Sequence, residues 1–310
     1  MKISAIICTH NPRPEHLQRT LDGLREQTLD CTDWELWIID NRSQKPIAET
    51  FDISWHPHGR IIREDNLGIM HARLRGIRES RGDILCYIDD DNALDPEYLA
   101  QALIIGSDLP HIGCWSGEIA GEFETPPPDW FFPHQSMLVI RPMTREAVWG
   151  NSYHYDDALP CGAGMCLRRT VAMGYLENFH QSELRAMLGR NGASLASGDD
   201  VDMAFAAIDM GLGVGRYKAM KLRHLIPKER LEIGYLERLA EGIWESYVYI
   251  HALREQTIHQ IPRCPKPELK MLRPFKAIKY GREEARIRAA RKRGIRKGLD
   301  MLKMLQLKIP

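Results

Sequence analysis

Two periods of hydrophobic and polar positions interleave over the first hundred residues. Lys2 to Cys8 is a short, mostly apolar run that reads as a buried strand, and Thr9-His10-Asn11-Pro12-Arg13-Pro14 stops it. Glu15 to Thr28 then places Leu17, Leu21, Leu24 and Thr28 on one helical face. Trp34 to Asp40 predicts a second strand and Arg60 to Arg63 a short third. Ile69 to Ser80 predicts a helix with Ile69, Ala72, Arg73, Gly76 and Ile77 close to one face, and Ile84 to Ile88 a fourth strand. Strands alternating with helices imply an α/β domain whose mainly parallel sheet is covered on both faces. Ligands of such sheets sit beyond the carboxyl ends of the strands. The polar clusters after Cys8, Ile39 and Ile88 all fall there, so three loops converge on one crevice.

Farther along, Pro96 to Gly106 predicts a helix. The stretch from Gly113 to Arg141 loses simple periodicity and holds Pro126-Pro127-Pro128 and Trp130-Phe131-Phe132, the pattern of a long loop beside the site. Cys161-Gly162-Ala163-Gly164-Met165 leads into a short strand and helix. Gly198-Asp199-Asp200-Val201-Asp202 opens a helix to about Met210, and Met220 to Ile226 reads as a strand. Glu229 to about His259 is expected to be a long helix ended by Pro262. The expected organisation is an α/β domain over 1–228, in halves of about 1–110 and 111–228, a helix over 229–262 packing on it, and a basic amphipathic extension over 263–310.

The net charge is zero, yet residues 266–310 hold 15 of the 42 Lys and Arg and only 4 of the 42 Asp and Glu, leaving that tail near +11 and the rest near −11. Arg291-Lys292-Arg293 and Arg296-Lys297 stand beside Leu299, Met301, Leu302, Met304, Leu305 and Leu307. This suggests binding in the plane of an anionic membrane, with a solvated helix, a protein contact or the acidic body as alternatives. Nucleic acid is disfavoured, since Phe275 and Tyr280 are the only aromatic residues there. Seven cysteines without a CxxC pair, and no expected signal peptide or apolar span, suggest a reduced, cytoplasmic protein, with peripheral attachment to the inner face of the plasma membrane as the tail's consequence.

Candidate chemistry starts at Asp89-Asp90-Asp91, three carboxylates at the end of a buried strand. Their mutual repulsion is offset where a divalent cation, sugar hydroxyls or backbone donors are near, which points to a metal-bound phosphate ligand. Asp199 and Asp200 open a helix, where acids favour the macrodipole, but three acids with Asp202 exceed what capping requires.

Taken together, the segments Cys8-Thr9-His10-Asn11, Asp40-Asn41-Arg42-Ser43, Asn66-Leu67-Gly68 with Ala72-Arg73, Asp89-Asp90-Asp91, Gly162-Ala163-Gly164-Met165 and Asp199-Asp200 fall in an order that resembles family 2 glycosyltransferases of the GT-A fold over roughly residues 3–235. The resemblance implies a metal-dependent inverting transfer of sugar from a nucleoside diphosphate donor, UDP being the commonest, to a hydroxyl of a glycan or lipid-linked acceptor, in surface polysaccharide assembly. It further implies Asp89 on the ribose, with Asp90 beside it on the donor, and Asp91 on Mn²⁺ or Mg²⁺ together with Asp89 and His224. Asp40, Thr9 and Asn11 would line the base pocket. Asn66 and Arg73 would hold the donor, Asp200 would act as general base, and Gly162, Gly164 and Asp199 would stand on the acceptor side.

Plainer roles exist for several of these: a turn or helix cap for Asp40, Thr9 and Asn11, a surface ion pair for Arg73, tight turning for the glycines, and an anchored apolar loop for the aromatic cluster. The Asp199 position is more often Glu in the family. Two other functions compete. A nucleotidyltransferase would carry a Gly-rich basic loop after strand 1, which Thr9-His10-Asn11-Pro12-Arg13 does not supply, and a non-catalytic sugar-nucleotide scaffold would have no need of Asp91 and Asp200.

Overall fold

A computed structural model describes residues 1–192, 195–254 and 281–305. Its centre is one sheet of nine strands: β1 (Ile3–Thr9), β2 (Trp34–Asp40), β3 (Gly59–Arg63), β4 (Ile84–Ile88), β5 (Asn92–Leu94), β6 (Ile112–Phe123), β7 (Ala147–Gly150), β8 (Met165–Arg168) and β9 (Gly213–Ile226). The path runs β3-β2-β1-β4-β8-β6-β9-β5, with β7 on β9. β3, β2, β1 and β4 are parallel, as the alternation with helices predicts. β8 then reverses direction, pairing antiparallel with both β4 and β6.

Helices α1 (Pro14–Arg25), α2 (Ile69–Glu79) and α3 (Tyr98–Asp108) link the first strands, and α4 (Arg169–Asn178), the short α5 (Glu183–Ala186) and α6 (Asp199–Asp209) follow β8. β1 is buried on both faces. Ile3, Ala5 and Ile7 share a core with Leu17, Leu21 and Leu24 of α1. On the opposite face Gly76 of α2 lies so close to Ile6 that a Cβ there would stand 2.8 Å from its side chain. One apolar strand thus supports a helix on each side, which is why its sequence shows no alternation.

The stretch expected as a loop over Gly113–Arg141 is instead β6 followed by a 3₁₀ segment, Asp129–Leu138. Its first six residues are buried on both faces, which hides the two-residue period. A Cβ on Gly117 would lie 1.8 Å from the Met220 carbonyl oxygen, so the glycine there permits backbone-to-backbone approach that looks like a breaker in sequence. Phe131 is fully buried against Phe123, so this residue anchors the segment, while Phe132 is exposed. Two short strands, β5 and β7, carry no sequence signal of their own. The expected strand at Met220 extends back to Gly213.

The chain divides into two units: Met1–Glu122 with Val139–His180 and Asp200–Ile226, and Phe123–Leu138 with Gln181–Asp199 and Pro227–Pro310. In the second, the expected helix from Glu229 begins as a 3₁₀ turn, Lys228–Leu231, and becomes α7 (Ile233–Leu253), which ends at the cap residue Arg254; residues 255–259 lie outside the described residues. α7 pairs with α8 (Arg282–Met304). Ala290, Gly294 and Gly298 recur every fourth residue of α8, and a Cβ on Gly294 would stand 2.2 Å from the Glu241 carbonyl oxygen. The helices therefore pack backbone to backbone.

Part of the tail's apolar face expected to meet a membrane is used in packing instead: Ile287, Ile295, Leu299 and Leu302 are buried, while Met304 is exposed. Its charges meet α7 as well: Arg286 pairs with Glu237 (2.6 Å), Arg293 with Glu241 (2.8 Å), Lys297 with Glu245 (2.7 Å), and Arg291 lies 3.6 Å over the Trp244 ring. Much of the charge asymmetry is complementarity between these two helices. Among the described residues no helix is long and apolar enough to cross a membrane.

Candidate active site

β1, β2 and β4 run parallel, so Thr9, Asp40 and Asp89 to Asp91 leave the sheet at the same edge. β4 pairs antiparallel with β8 through Tyr87↔Met165. The residues that follow Tyr87 and those that precede Met165 therefore emerge together, and Gly162–Gly164 stands beside the acidic triplet. Residues more than seventy positions apart are joined here by register alone.

After β4 the chain turns through Asp90 and Asp91 into β5, whose pairing Asn92↔His224 brings β9 alongside. Consequently the Asp91 Oδ2 and His224 Nε2 atoms lie 3.4 Å apart, both side chains buried. The Leu225 N–H donates to the Asp91 carbonyl (2.8 Å), and Asn92 Nδ2 donates to Asp91 Oδ1 (3.1 Å), fixing the carboxylate toward the histidine. Asp90 turns the other way and accepts a hydrogen bond from the Thr9 hydroxyl. Asp89 and Asp90 are half-buried.

Asp200 stands near the start of α6. The Gly162 N–H donates to its Oδ2 (2.7 Å) and the Val201 N–H to its Oδ1 (2.9 Å), so two backbone donors fix the plane of the carboxylate. A Cβ on Gly162 would lie 2.6 Å from Arg73 Nη2 and 3.4 Å from the Asp200 Cβ, so this glycine is squeezed between guanidinium and carboxylate. Arg73, far from a surface ion pair, is buried on α2 with its guanidinium 5.8 Å from the centre of the Tyr87 ring. Gly164 has φ +70, and the Tyr98 hydroxyl donates to its carbonyl (2.7 Å). Burial holds the Tyr98 phenol well above its ordinary pKa, which keeps that donor protonated. Asp199, the first residue of α6, is buried.

The loops after β1, β2 and β3 form a second hydrogen-bonded group. Asp40 is buried, and its oxygens accept from the N–H groups of Ser43 (2.8 Å) and Ile47 (3.2 Å), with Arg63 Nη1 at 3.5 Å. It organises its own loop. Asn11, with φ 50, accepts from the Gln44 N–H (2.8 Å) through Oδ1 while its own N–H donates to Ser43 Oγ (2.9 Å). Asn66 is exposed, and both its N–H and its Nδ2 donate to Glu64 Oε1 at 2.8 and 2.9 Å. Asn41, which sequence reasoning quotes only as motif context, joins these loops: its Nδ2 donates to the Asn66 carbonyl (2.7 Å) and its Oδ1 accepts from the Gly68 N–H (2.8 Å). Glu64 and Arg63 were likewise missed, because one acid and one base after a short strand carry no local signal.

Comparisons with known proteins bear on the family and the fold. Residues 4–150 match the family model described as Glycosyl transferase family 2. A glucosyl-dolichyl phosphate glucuronosyltransferase of Haloferax volcanii is 23% identical over 258 residues, covering 80% of this chain and 76% of that protein. Other curated relatives are matched over only about a third of their length. Among solved structures, S. aureus TarS 1–349 in complex with UDP-GlcNAc superposes with a TM-score of 0.53 at 13% identity, covering 98% of this chain and 92% of that one. GalNAc-T7 with UDP, GalNAc and Mn2+ gives a TM-score of 0.51 at 17% identity, covering 89% and 54%. At these identities the structural likeness is one of fold.

Proposed function

We propose that this chain, which has the GT-A fold and whose residues 4–150 belong to glycosyl transferase family 2, is an inverting, metal-dependent glycosyltransferase acting from a nucleoside diphosphate sugar, UDP-linked, to a hydroxyl of a glycan or glycolipid. The observation that carries this reading is the pairing of β4 with β8, which sets the Asp91–His224 pair and the Gly162-bound Asp200 at one edge of one sheet. A role in surface polysaccharide assembly follows as its setting.

The donor set suits a hard divalent cation. A carboxylate oxygen and an imidazole nitrogen 3.4 Å apart are close to the spacing of adjacent ligands in an octahedral shell, about 3 Å for bonds of about 2.1 Å. Among the described residues no group of three or more His, Cys, Asp or Glu is placed to hold a metal, so the expected third ligand, Asp89, does not join Asp91 and His224. Asp91 and His224 would hold the ion. When bound, it offsets the charge that develops on the departing diphosphate.

The chain's own side chains perform the rest. Asp200 takes the proton of the acceptor hydroxyl, and its two backbone hydrogen bonds keep the remaining lone pairs aimed in one direction. Arg73, buried against the glycine that holds the base, places a fixed positive charge between donor and base, where a bidentate guanidinium meets diphosphate oxygens. Asp89 and Asp90 hold the ribose side of the donor. Asp40, Asn41, Asn11 and Asn66 act on the nucleotide through the rigid loops they build.

Thermal shift with UDP and UDP-sugars, with and without Mn²⁺, tests binding, and product assay tests transfer. Asp200→Asn is expected to reduce transfer by at least about 10³-fold while keeping the nucleotide-induced shift in melting temperature. Loss of nucleotide binding with turnover retained would refute the assignment.

A further inference from the structure

The segment from Tyr153 to Gly162 runs along α6 in the opposite direction, and β7 with Trp149 precedes it. The Tyr153 hydroxyl donates to Asp209 Oδ1 (2.8 Å) at the end of the helix, the Tyr155 ring meets Phe205 in a T-shape (5.9 Å between centroids), and the Gly162 N–H reaches Asp200 at its start. With a rise of about 1.5 Å per residue, Phe205 lies about 7–8 Å and Asp209 about 13–14 Å along the axis from Asp200. Two rings of this stretch are largely left out of the core: Trp149 is 56% exposed and Tyr155 44%. Trp149 is not loose, because β7 pairs it with Gly215 and His111 packs on it at 5.2 Å.

The backbone that follows Tyr155 is pinned by side chains. Arg141 donates to the carbonyls of Leu159 and Asp156, and the buried Arg216 donates to those of Asp157, Arg141 and Gly117. Two guanidinium groups spent on main-chain carbonyls make a rigid mount. Around the rings stand exposed polar groups, among them His154, Asp156 and Asp209.

We propose that this row is an acceptor subsite for an extended neutral saccharide chain, whose terminal hydroxyl lies at Asp200 and whose following residues stack on Tyr155 and then Trp149. The inference rests on the reading of Asp200 as the base. A pyranose ring offers an apolar C–H face that suits the negative face of an aromatic ring, and a rim of hydroxyls that suits carboxylates and imidazoles. An alkyl chain laid on the same track would desolvate those acids without replacing their hydrogen bonds, and a polyanion would meet them as like charges.

The test is binding of the fluorescently labelled full-length chain to an array of neutral oligosaccharides of two to six residues. The same preparations, wild type, Trp149→Ala and Tyr155→Ala, are also assayed for UDP- and Mn²⁺-dependent thermal shift. Wild type is expected to bind at least one oligosaccharide series more tightly as length increases, and each variant to lose at least tenfold with the nucleotide response unchanged. If Tyr155→Ala lowers the melting temperature through its contact with Phe205, Trp149→Ala decides alone. No saccharide bound by wild type, or equal binding by the variants, overturns the subsite. A missing nucleotide response with saccharide binding intact would instead refute the enzyme and leave the track standing.

Discussion

At the residue scale, Gly162 and His56 show how one position can matter through space rather than reactivity. Gly162 supplies an N–H to Asp200, and any side chain at this position meets the side chains of Arg73 and Asp200. Because the nearest obstacle is the tip of a flexible guanidinium, Gly162→Ala should fold, with a melting temperature within a few degrees of wild type. Displacing Arg73 and the base by even part of an ångström should nevertheless cost about 10- to 100-fold in kcat, measured with saturating donor, while nucleotide binding persists. His56, in the loop before β3, is buried with its ring 4.0 Å from that of Trp34, and burial, together with the neighbouring His58, depresses its pKa from 6.5 to about 4. The sign follows directly. Between pH 6.5 and 4 the unfolded chain takes up a proton that the folded chain refuses, so stability falls as pH drops through this window and levels off below about 4. The full effect amounts to at most about 3 kcal/mol. Denaturant titrations across pH 7 to 4 should show this slope in wild type and a shallower one in His56→Phe; identical slopes would mean that other groups dominate the acid response.

At the scale of elements, the packing of α8 on α7 sets helix propensity against sterics, and the numbers decide between them. Replacing Gly294 in mid-helix by Ala gains about 1 kcal/mol of propensity. However, the new Cβ would stand 2.2 Å from the Glu241 carbonyl oxygen, and backbone cannot swing aside as a side chain can. Overpacking typically costs about 1–3 kcal/mol, and rigid backbone at 2.2 Å puts this contact at the upper end, about 2–3 kcal/mol, so Gly294→Ala should destabilise on balance, by about 1–2 kcal/mol, and Gly294→Leu by more. Lys292→Ala, two residues away on the exposed side, should stay within about 0.5 kcal/mol. Chemical denaturation of the full chain measures all three. The same glycines explain what the sequence concealed. Residues such as Gly117 and Gly294 look like breakers, yet they mark the places where a strand or helix approaches its neighbour most closely. Alternation likewise vanished in β6 because both faces are covered, and β5 and β7 are too short to show a period. The strands β1 to β4 and the helices between them were legible, since each is long enough to display either a continuous apolar run or a 3.6-residue stripe.

At the scale of the whole molecule, the acidic residues of the site were legible because their chemistry is local: a carboxylate cluster ending a strand, and another opening a helix. What the sequence left open was which of them meet. Asp90 turns to Thr9 and Asp91 to His224 because of a turn and a three-residue strand, β5, that has no signature, and the partnership of Asp200 with Gly162 depends on an antiparallel pairing between strands far apart in the chain. His224, one of twelve histidines, is brought to Asp91 by the register Asn92↔His224. Removing it therefore tests the assembled arrangement more sharply than removing an aspartate whose role the sequence already suggests. His224→Ala leaves a small buried void and an Asp91 carboxylate still held by Asn92, so the fold should survive with a modest loss of stability. If the pair holds the cation, the Mn²⁺ concentration giving half-maximal transfer should rise by about 10- to 100-fold, with recovery toward wild-type rates at high metal. The UDP-induced thermal shift should also become insensitive to Mn²⁺ at concentrations that saturate the wild type. A variant whose metal response is unaltered would place the ion elsewhere, and Asp91 would then be left as an acceptor for Asn92 and the histidine in a purely structural hinge between β4 and β9.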